Sequence, residues 1–322
     1  MVASTDRVNA PIPLGQGDDH VPLVSLGAMV DIERYPLDQP ESSSYAALVA
    51  TARAELDRDG CAVIPGFVRA EVVAQMTAEV DALADRRDFS AGLRNPYFID
   101  EPDPTLPDDH PLNFFQVRSN QWLCTDRMPD ESLMYQLYRR REVLEFVGQI
   151  LDLQPIYFYE DPMVTVLVNV QIPGDTLPWH FDGSPYATTI VIREPDAGGV
   201  FEYVPFLRTE TDQRFDAVQH ALTTGEGVVK LPGRAGDLQI FQGWCSIHRV
   251  TPVEAGERHS LVLAYGDEPG QSSDWVSREK NFGRLHPYHQ MLKDSGEPGS
   301  FGSALTSRPT HSRSEEPDGT HS

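Results

Sequence analysis

The chain has 322 residues, of which 40% are hydrophobic and 23% charged, ordinary values for a soluble globular protein with one large domain or one domain and an appended lobe. With 49 acidic against 26 basic residues the formal net charge is −23, which disfavours nonspecific contact with nucleic acid or anionic membranes because like charges repel. No run approaches the roughly 18 apolar residues of a membrane span. Residues 1–14 lack the charged-then-apolar order of an export signal. Cys61, Cys124 and Cys245 are widely separated and form no CxxC pair, so they read as reduced thiols in a cytoplasmic protein.

Residues 1–44 are rich in Pro, Asp and Ser without a sustained period, and read as an N-terminal arm, laid over the core or partly irregular. From Tyr45 to Asp57, Leu48, Ala52 and Leu56 recur at helical spacing and Gly60 stops the run. Cys61–Ile64 is a short apolar strand closed by Pro65-Gly66. A second helix is expected over Glu71–Arg86, with Val72, Met76, Val80 and Leu83 on one face. A Pro-rich loop follows over Asn95–Pro111, then a third helical region over about 131–151. The span 45–154 is thus expected to be mostly helical.

From Pro155 the pattern changes to strands. Over Met163–Ile172 the residues Val164, Val166, Val168, Val170 and Ile172 alternate with Thr165, Leu167, Asn169 and Gln171. Strands are further expected over 186–193, 199–204, 227–231, 237–241, 248–253 and 260–265. About seven short strands at this spacing suggest a sandwich or barrel, with a jelly roll the best fit. The fold class is therefore α+β: a double-stranded β-helix (jelly roll) core over 155–266 with the helices of 45–154 packed outside. A C-terminal segment over 267–293 completes a single domain of 45–293. The Ser/Gly/Pro-rich residues 294–322 are expected to be a disordered tail.

The chemistry concentrates in His180-Phe181-Asp182, His248 and Arg258-His259-Ser260. Two imidazoles and a carboxylate can hold Fe(II) on one face and leave the opposite positions open. In an extended segment the spacing of His180 and Asp182 points both side chains to one face. His-x-Asp alone is weak, since a chain with ten histidines and many aspartates contains about one by chance. Context raises its value. Gly236-Asp237-Leu238, Phe241 and Gly243, then His248-Arg249-Val250-Thr251-Pro252-Val253, then Arg258 and Ser260, closely resemble the second half of the iron(II)/2-oxoglutarate oxygenase core. The resemblance implies that Arg258 and Ser260 bind the distal carboxylate of 2-oxoglutarate, with O2 as second cosubstrate. A planar guanidinium suits a carboxylate bidentately and a hydroxyl adds a third hydrogen bond.

Upstream, residues 59–67 resemble the opening strand of the phytanoyl-CoA-dioxygenase-like branch. Gly198-Gly199, Phe201-Glu202-Tyr203-Val204-Pro205 and Arg208 resemble bacterial oxygenases of free amino acids, hydroxylases and radical halogenases together. The match spans about 59–266. Halogenases of that group replace the metal carboxylate by Gly or Ala, whereas this chain has Asp182, with Gly183 only following it. That departure argues against halide binding and for hydroxylation, desaturation or cyclisation.

Asn169 and Gln171 share a strand face and are candidates for hydrogen bonds to 2-oxoglutarate or substrate, against a solvated face. The resemblance implies a small, amino-acid-like substrate of natural-product biosynthesis. Such a substrate needs a carboxylate-binding Arg and an amine-binding acid, and Arg118, Glu160 and Asp161 are the candidates. Trp179 and Trp244 flank the ligand segments and suit core packing better than a pocket wall. His259 is read as structural, and His286 and His289 lie in a polar segment that could form a lid. Two other classes compete: a metal enzyme without an organic cosubstrate, such as a cupin-type dioxygenase or a zinc hydrolase, and a catalytically silent binding module. Arg258 and Ser260 weigh against the first, and the complete ligand set against the second.

Overall fold

The computed structural model describes residues 23–299. Its first long helix shows how local sequence sets element ends. The Ser42 hydroxyl accepts from the Tyr45 amide at 3.2 Å, and Ser43–Asp59 then runs helically to Gly60, whose φ of 70° ends it. The helix Ala70–Ala82 buries Val72, Val73, Met76 and Val80, and gives way to a 3-10 turn at Ala84–Arg86. The helical region expected over about 131–151 holds two helices, Leu133–Tyr138 and Arg141–Leu151.

The strands form an antiparallel seven-stranded sheet and a smaller four-stranded one. In order, the large sheet runs Cys61–Ile64, Leu238–Phe241, Ala187–Arg193, Arg258–Leu263, Val166–Gln171, Gln116–Cys124 and Asp88–Arg94. The small sheet runs Val229–Leu231, Phe201–Val204, Ile247–Val250 and Leu177–His180. Strand alternation gives the large sheet two unlike faces. Val166, Val168, Val170, Ile190, Ile192, Leu238, Ile240, Leu261 and Leu263 join the helices in the main core. The opposite face carries Phe241, which meets Phe201 and Tyr203 of the small sheet edge-on at 5.2 and 5.3 Å. Asn169, Gln171, Arg258 and Ser260 are also off the helical core, yet all four are buried. The solvated-face alternative for Asn169 and Gln171 is therefore excluded.

One expectation needs correction. The span 45–154 is not uniformly helical, because Asp88–Arg94 and Gln116–Cys124 pair as a hairpin and extend the large sheet through Gln121–Cys124 against Leu167–Val170. The hairpin escaped notice because its apolar and polar positions are reversed. Arg118 and Asn120 are buried, whereas Phe89, Leu93 and Val117 are exposed. The arm expected over 1–44 is partly ordered. Within it a short helix, Leu26–Met29, forms and Met29, Val30, Tyr35 and Leu37 are buried in the main core. Residues 1–22 lie outside the described residues, as do residues 300–322 of the expected tail. The helices Trp275–Phe282 and Pro287–Asp294 occupy the C-terminal segment, and the second ends at the first residue of that tail. Among the described residues no helix is long and apolar enough to cross a membrane.

Candidate metal centre

His180 ends the edge strand of the small sheet and pairs directly across it with His248, the two rings 4.1 Å apart between centroids. Asp182 lies two residues beyond the strand end, so loop geometry and not strand alternation aims it. Its amide donates to the Gly243 carbonyl at 3.0 Å, and the Phe181 amide donates to the Pro96 carbonyl at 2.9 Å. Asp182 Oδ1 then stands 3.7 Å from His180 Nε2 and 3.5 Å from His248 Nε2. Both imidazoles are locked from behind. His180 Nδ1 lies 2.8 Å from the Pro178 carbonyl and His248 Nδ1 lies 3.0 Å from the Ser246 carbonyl. A carbonyl can only accept, so each Nδ1 carries the proton and each Nε2 presents a lone pair to the centre. Burial, and then the neighbouring His248, holds the His180 imidazole down at about 3, which keeps it neutral and able to ligate.

Asp182 Oδ2 is buried with no hydrogen-bond partner among the described residues. An unpaired buried carboxylate oxygen is costly. Gly243 makes room for it, since a Cβ there would stand 1.8 Å from Oδ2. The donor set, two imidazoles and one carboxylate, is the set that suits a divalent ion such as Fe(II).

Arg258, Ser260, Asn169 and Gln171 form a second group by strand register, with Arg258 opposite Gln171 and Ser260 opposite Asn169. Arg258 is 6% exposed, and desolvation lowers its guanidinium to about 10. Its one hydrogen bond among the described residues is to Gln171 Oε1 at 3.4 Å, and no carboxylate pairs with it. Asn169 Oδ1 accepts from Asn120 Nδ2 at 2.9 Å, while Gln171 Nε2 is buried without a partner. A buried cation with amide donors around it and no counter-ion is suited to an anion.

In front of His180 and Asp182 opens a cavity of about 370 Å³. Arg118, Trp122, Leu177, Phe282 and Asn281 help to line it, so the helix Trp275–Phe282 forms part of its wall. Arg118, a candidate from sequence, is buried and donates to Asn120 Oδ1 and Asn281 Oδ1, both at 3.0 Å. Asp161 and Glu160 do not line the cavity. Asp161 instead accepts from Arg278 Nε and faces His289 Nε2, each at 3.2 Å, and also accepts from the Ser273 amide at 3.1 Å. It ties the C-terminal helices to the core, which corrects its assignment to the substrate. Glu160 has its amide bonded to the Gln271 carbonyl at 2.8 Å and brings no carboxylate to the cavity.

The sequence gives no sign that Arg94 and Asn281 reach the cavity. A period-two pattern of Arg118, Asn120 and Trp122 was readable, but nothing in the sequence places Asn281 beside Arg118, 163 residues away. Trp179 and Trp244 are buried beneath guanidinium groups, Arg249 at 4.6 Å and Arg208 at 4.4 Å, and neither lines the cavity. His259 is buried with Nε2 2.9 Å from Glu257. Together with Asp81 it forms a further carboxylate–imidazole cluster, but the Arg193 guanidinium already bridges Glu257 and Asp81 there.

None of the curated proteins compared matches the chain. Among solved structures, a 2OG-Fe(II) oxygenase family oxidoreductase from Burkholderia pseudomallei is 17% identical over 69% of this chain and 92% of its own, with a TM-score of 0.46. The non-heme alpha ketoglutarate dependent carbocyclase SnoK from nogalamycin biosynthesis is 17% identical over 73% of this chain and 92% of its own, at 0.49. A prolyl-4-hydroxylase from Pseudomonas putida is 17% identical over 66% and 96%, at 0.42. The family model described as halogenase D matches residues 115–282, which is more than half of the chain and takes in His180, Asp182, His248 and Arg258. The chain therefore belongs to the halogenase D family and, with it, to the iron(II)/2-oxoglutarate oxygenases, enzymes that use iron(II), 2-oxoglutarate and O2.

Proposed function

We propose that this enzyme oxidises an unactivated C–H bond of a small organic substrate, by hydroxylation or by desaturation or ring closure, and does not halogenate. The convergence of Asp182 Oδ1 with the Nε2 atoms of His180 and His248, within 3.7 Å, carries the reading. These three residues would hold iron(II). Arg258 and Ser260 would hold the distal carboxylate of 2-oxoglutarate, with Gln171 and Asn169 donating or accepting beside them. Bound together, iron(II) and 2-oxoglutarate supply the activation of O2 and the removal of hydrogen from carbon.

The protein's own part is positioning and desolvation. Locked Nδ1 protons keep both imidazoles in the ligating tautomer, and Asp182 contributes the one negative charge of the set. Asp182 also occupies the position that a halide would need, so the family's halogenase description extends here to an oxygen-transferring member. Leu177, Trp122 and Phe282 exclude water from the space where a substrate carbon would sit, and Arg118 would fix an anionic end of that substrate. In this reading the two sheets form a double-stranded β-helix core within a single domain of 45–293.

An anaerobic titration of the apoprotein with iron(II) and 2-oxoglutarate tests the proposal through the visible charge-transfer band of the chelated pair. Wild type should develop the band. Asp182→Ala should lose iron affinity, and Arg258→Gln should need roughly 30- to 100-fold more 2-oxoglutarate, the loss of about 2–3 kcal/mol expected for a charge-assisted pair. Iron bound in stoichiometric amount with no band on adding 2-oxoglutarate would sink the assignment of the Arg258 group.

A further inference from the structure

Two guanidinium groups meet at the cavity, and among the described residues neither forms an ion pair; Asp100, which acts on Arg94 from a distance, is ion-paired to Lys280 and does not line the cavity. Arg118 is 5% exposed, gives its Nε and Nη1 to the side-chain oxygens of Asn120 and Asn281, and lies 5.4 Å over the Trp122 ring, so its charge is held by neutral groups. No hydrogen bond from its Nη2 is made among the described residues. Burial, and then the neighbouring Arg94, lowers the Arg118 guanidinium to about 9. Arg94 itself donates to the backbone carbonyls of Leu93 at 3.3 Å and Lys280 at 3.0 Å, and its Nε is buried without a partner. The third cation of the wall, Arg278, is already matched by Asp161.

Against these stand few acceptors for a cation. Among the described residues Asp182 is the single carboxylate lining the cavity, and it belongs to the metal ligand set. The Asn281 oxygen is taken by Arg118. Leu177, Leu167, Val164, Trp122 and Phe282 supply its apolar wall, and hydroxyls such as Ser184, Tyr186 and Thr188 add polarity but no negative charge. An α-amino acid brings an ammonium group whose desolvation needs a buried acid or several aligned carbonyls. A carboxylate without an ammonium fits the unbalanced guanidinium pair and leaves its skeleton to the apolar wall.

We infer that the substrate is an organic carboxylate on an apolar skeleton with its amine absent or acylated, its carboxylate held by Arg118 and Arg94. This rests on the oxygenase reading for the reaction, but the anion site stands on its own geometry. The test is ligand-induced thermal stabilisation of the full chain under argon, with and without iron(II) and 2-oxoglutarate. Probes are aliphatic and aryl-substituted acids and N-acetyl amino acids, such as 4-methylpentanoate and N-acetyl-L-leucine. Each is paired with its free amino acid, here L-leucine, and with its own amide, 4-methylpentanamide or N-acetyl-L-leucinamide.

The acids should bind at least about tenfold tighter than their amino-acid and amide partners, and Arg118→Gln should erase that preference. Without ligand, Arg118→Met should raise Tm by about 2–4 °C, because it removes a buried charge that has no counter-ion. Tighter binding of free amino acids, no stabilisation by any acid at millimolar concentration, or a lower Tm for Arg118→Met with unchanged ligand ranking would each overturn the inference. Failure of the oxygenase reading shows separately, as a missing charge-transfer band in protein that still binds the acids.

Discussion

Gly243 and Asp182 are in close contact at the site. The glycine amide plane accepts Asp182 through its carbonyl, and a single added methyl would lie 1.8 Å from Asp182 Oδ2. Gly243→Ala should therefore displace the carboxylate and weaken iron binding by at least about tenfold, read as iron retained after gel filtration. Combined with Asp182→Gly, the same substitution should cost no further stability, since the clashing group is gone. Wild-type iron content in Gly243→Ala would refute this. At this scale the sequence was readable where chemistry alone identifies a residue: His180, Asp182, His248 and Arg258 stand out by type and spacing. Gly243 was visible within a motif, but its reason was not, because a clash with a side chain 61 positions away is a tertiary fact.

At the scale of elements, the cavity depends on the helix Trp275–Phe282 being held against the sheet. Its N-terminus is set by Asp274, whose carboxylate accepts from the Ser277 amide at 3.0 Å. Its position is set by Asp161, which binds Arg278 of this helix and His289 of the next while capping its own turn through the Met163 amide at 2.8 Å. Although burial works to raise it, the Arg278 charge and the His289 hydrogen bond keep the Asp161 carboxyl down at about 2. Asp161→Asn leaves Arg278 buried without its anion and should destabilise by about 3–5 kcal/mol in urea denaturation. Limited proteolysis should then cut within residues 267–299 before it cuts the sheets. Equal protease resistance in both proteins would deny Asp161 this role. Asp161 looked like an amine-binding acid in the sequence because its partners come 117 and 128 residues later. The hairpin Asp88–Arg94 and Gln116–Cys124 was missed for a related reason. Its inward side chains serve the cavity, so they are polar where a core strand would be apolar.

For the whole molecule, stability should fall in mild acid for a reason separate from the metal centre. His259 is buried in the sheet, and desolvation, opposed in part by its hydrogen bond to Glu257, lowers its imidazole to about 4. The folded chain thus binds fewer protons than the unfolded chain between pH 4 and the ordinary value of 6.5. Its contribution is fully present above 6.5 and is lost as pH falls toward 4, about 2 kcal/mol by pH 5. Urea midpoints at pH 7 and pH 5 should differ less for His259→Gln than for wild type by about that amount, and identical pH dependence would remove His259 from the account. By itself the sequence determined the glycine stop of the helix Ser43–Asp59, the alternating strand Val166–Gln171 and the residues proposed to hold iron(II) and the cosubstrate, because capping, period and side-chain chemistry are local properties. Only the tertiary structure decided that Asn169 and Gln171 face inward beneath the small sheet, that Asp161 is a structural anchor, and that Arg118 and Arg94 share a cavity in which Asp182 is the sole carboxylate among the described residues. Those facts depend on which distant segments the sheet brings together, and burial and charge balance exist only once it has done so.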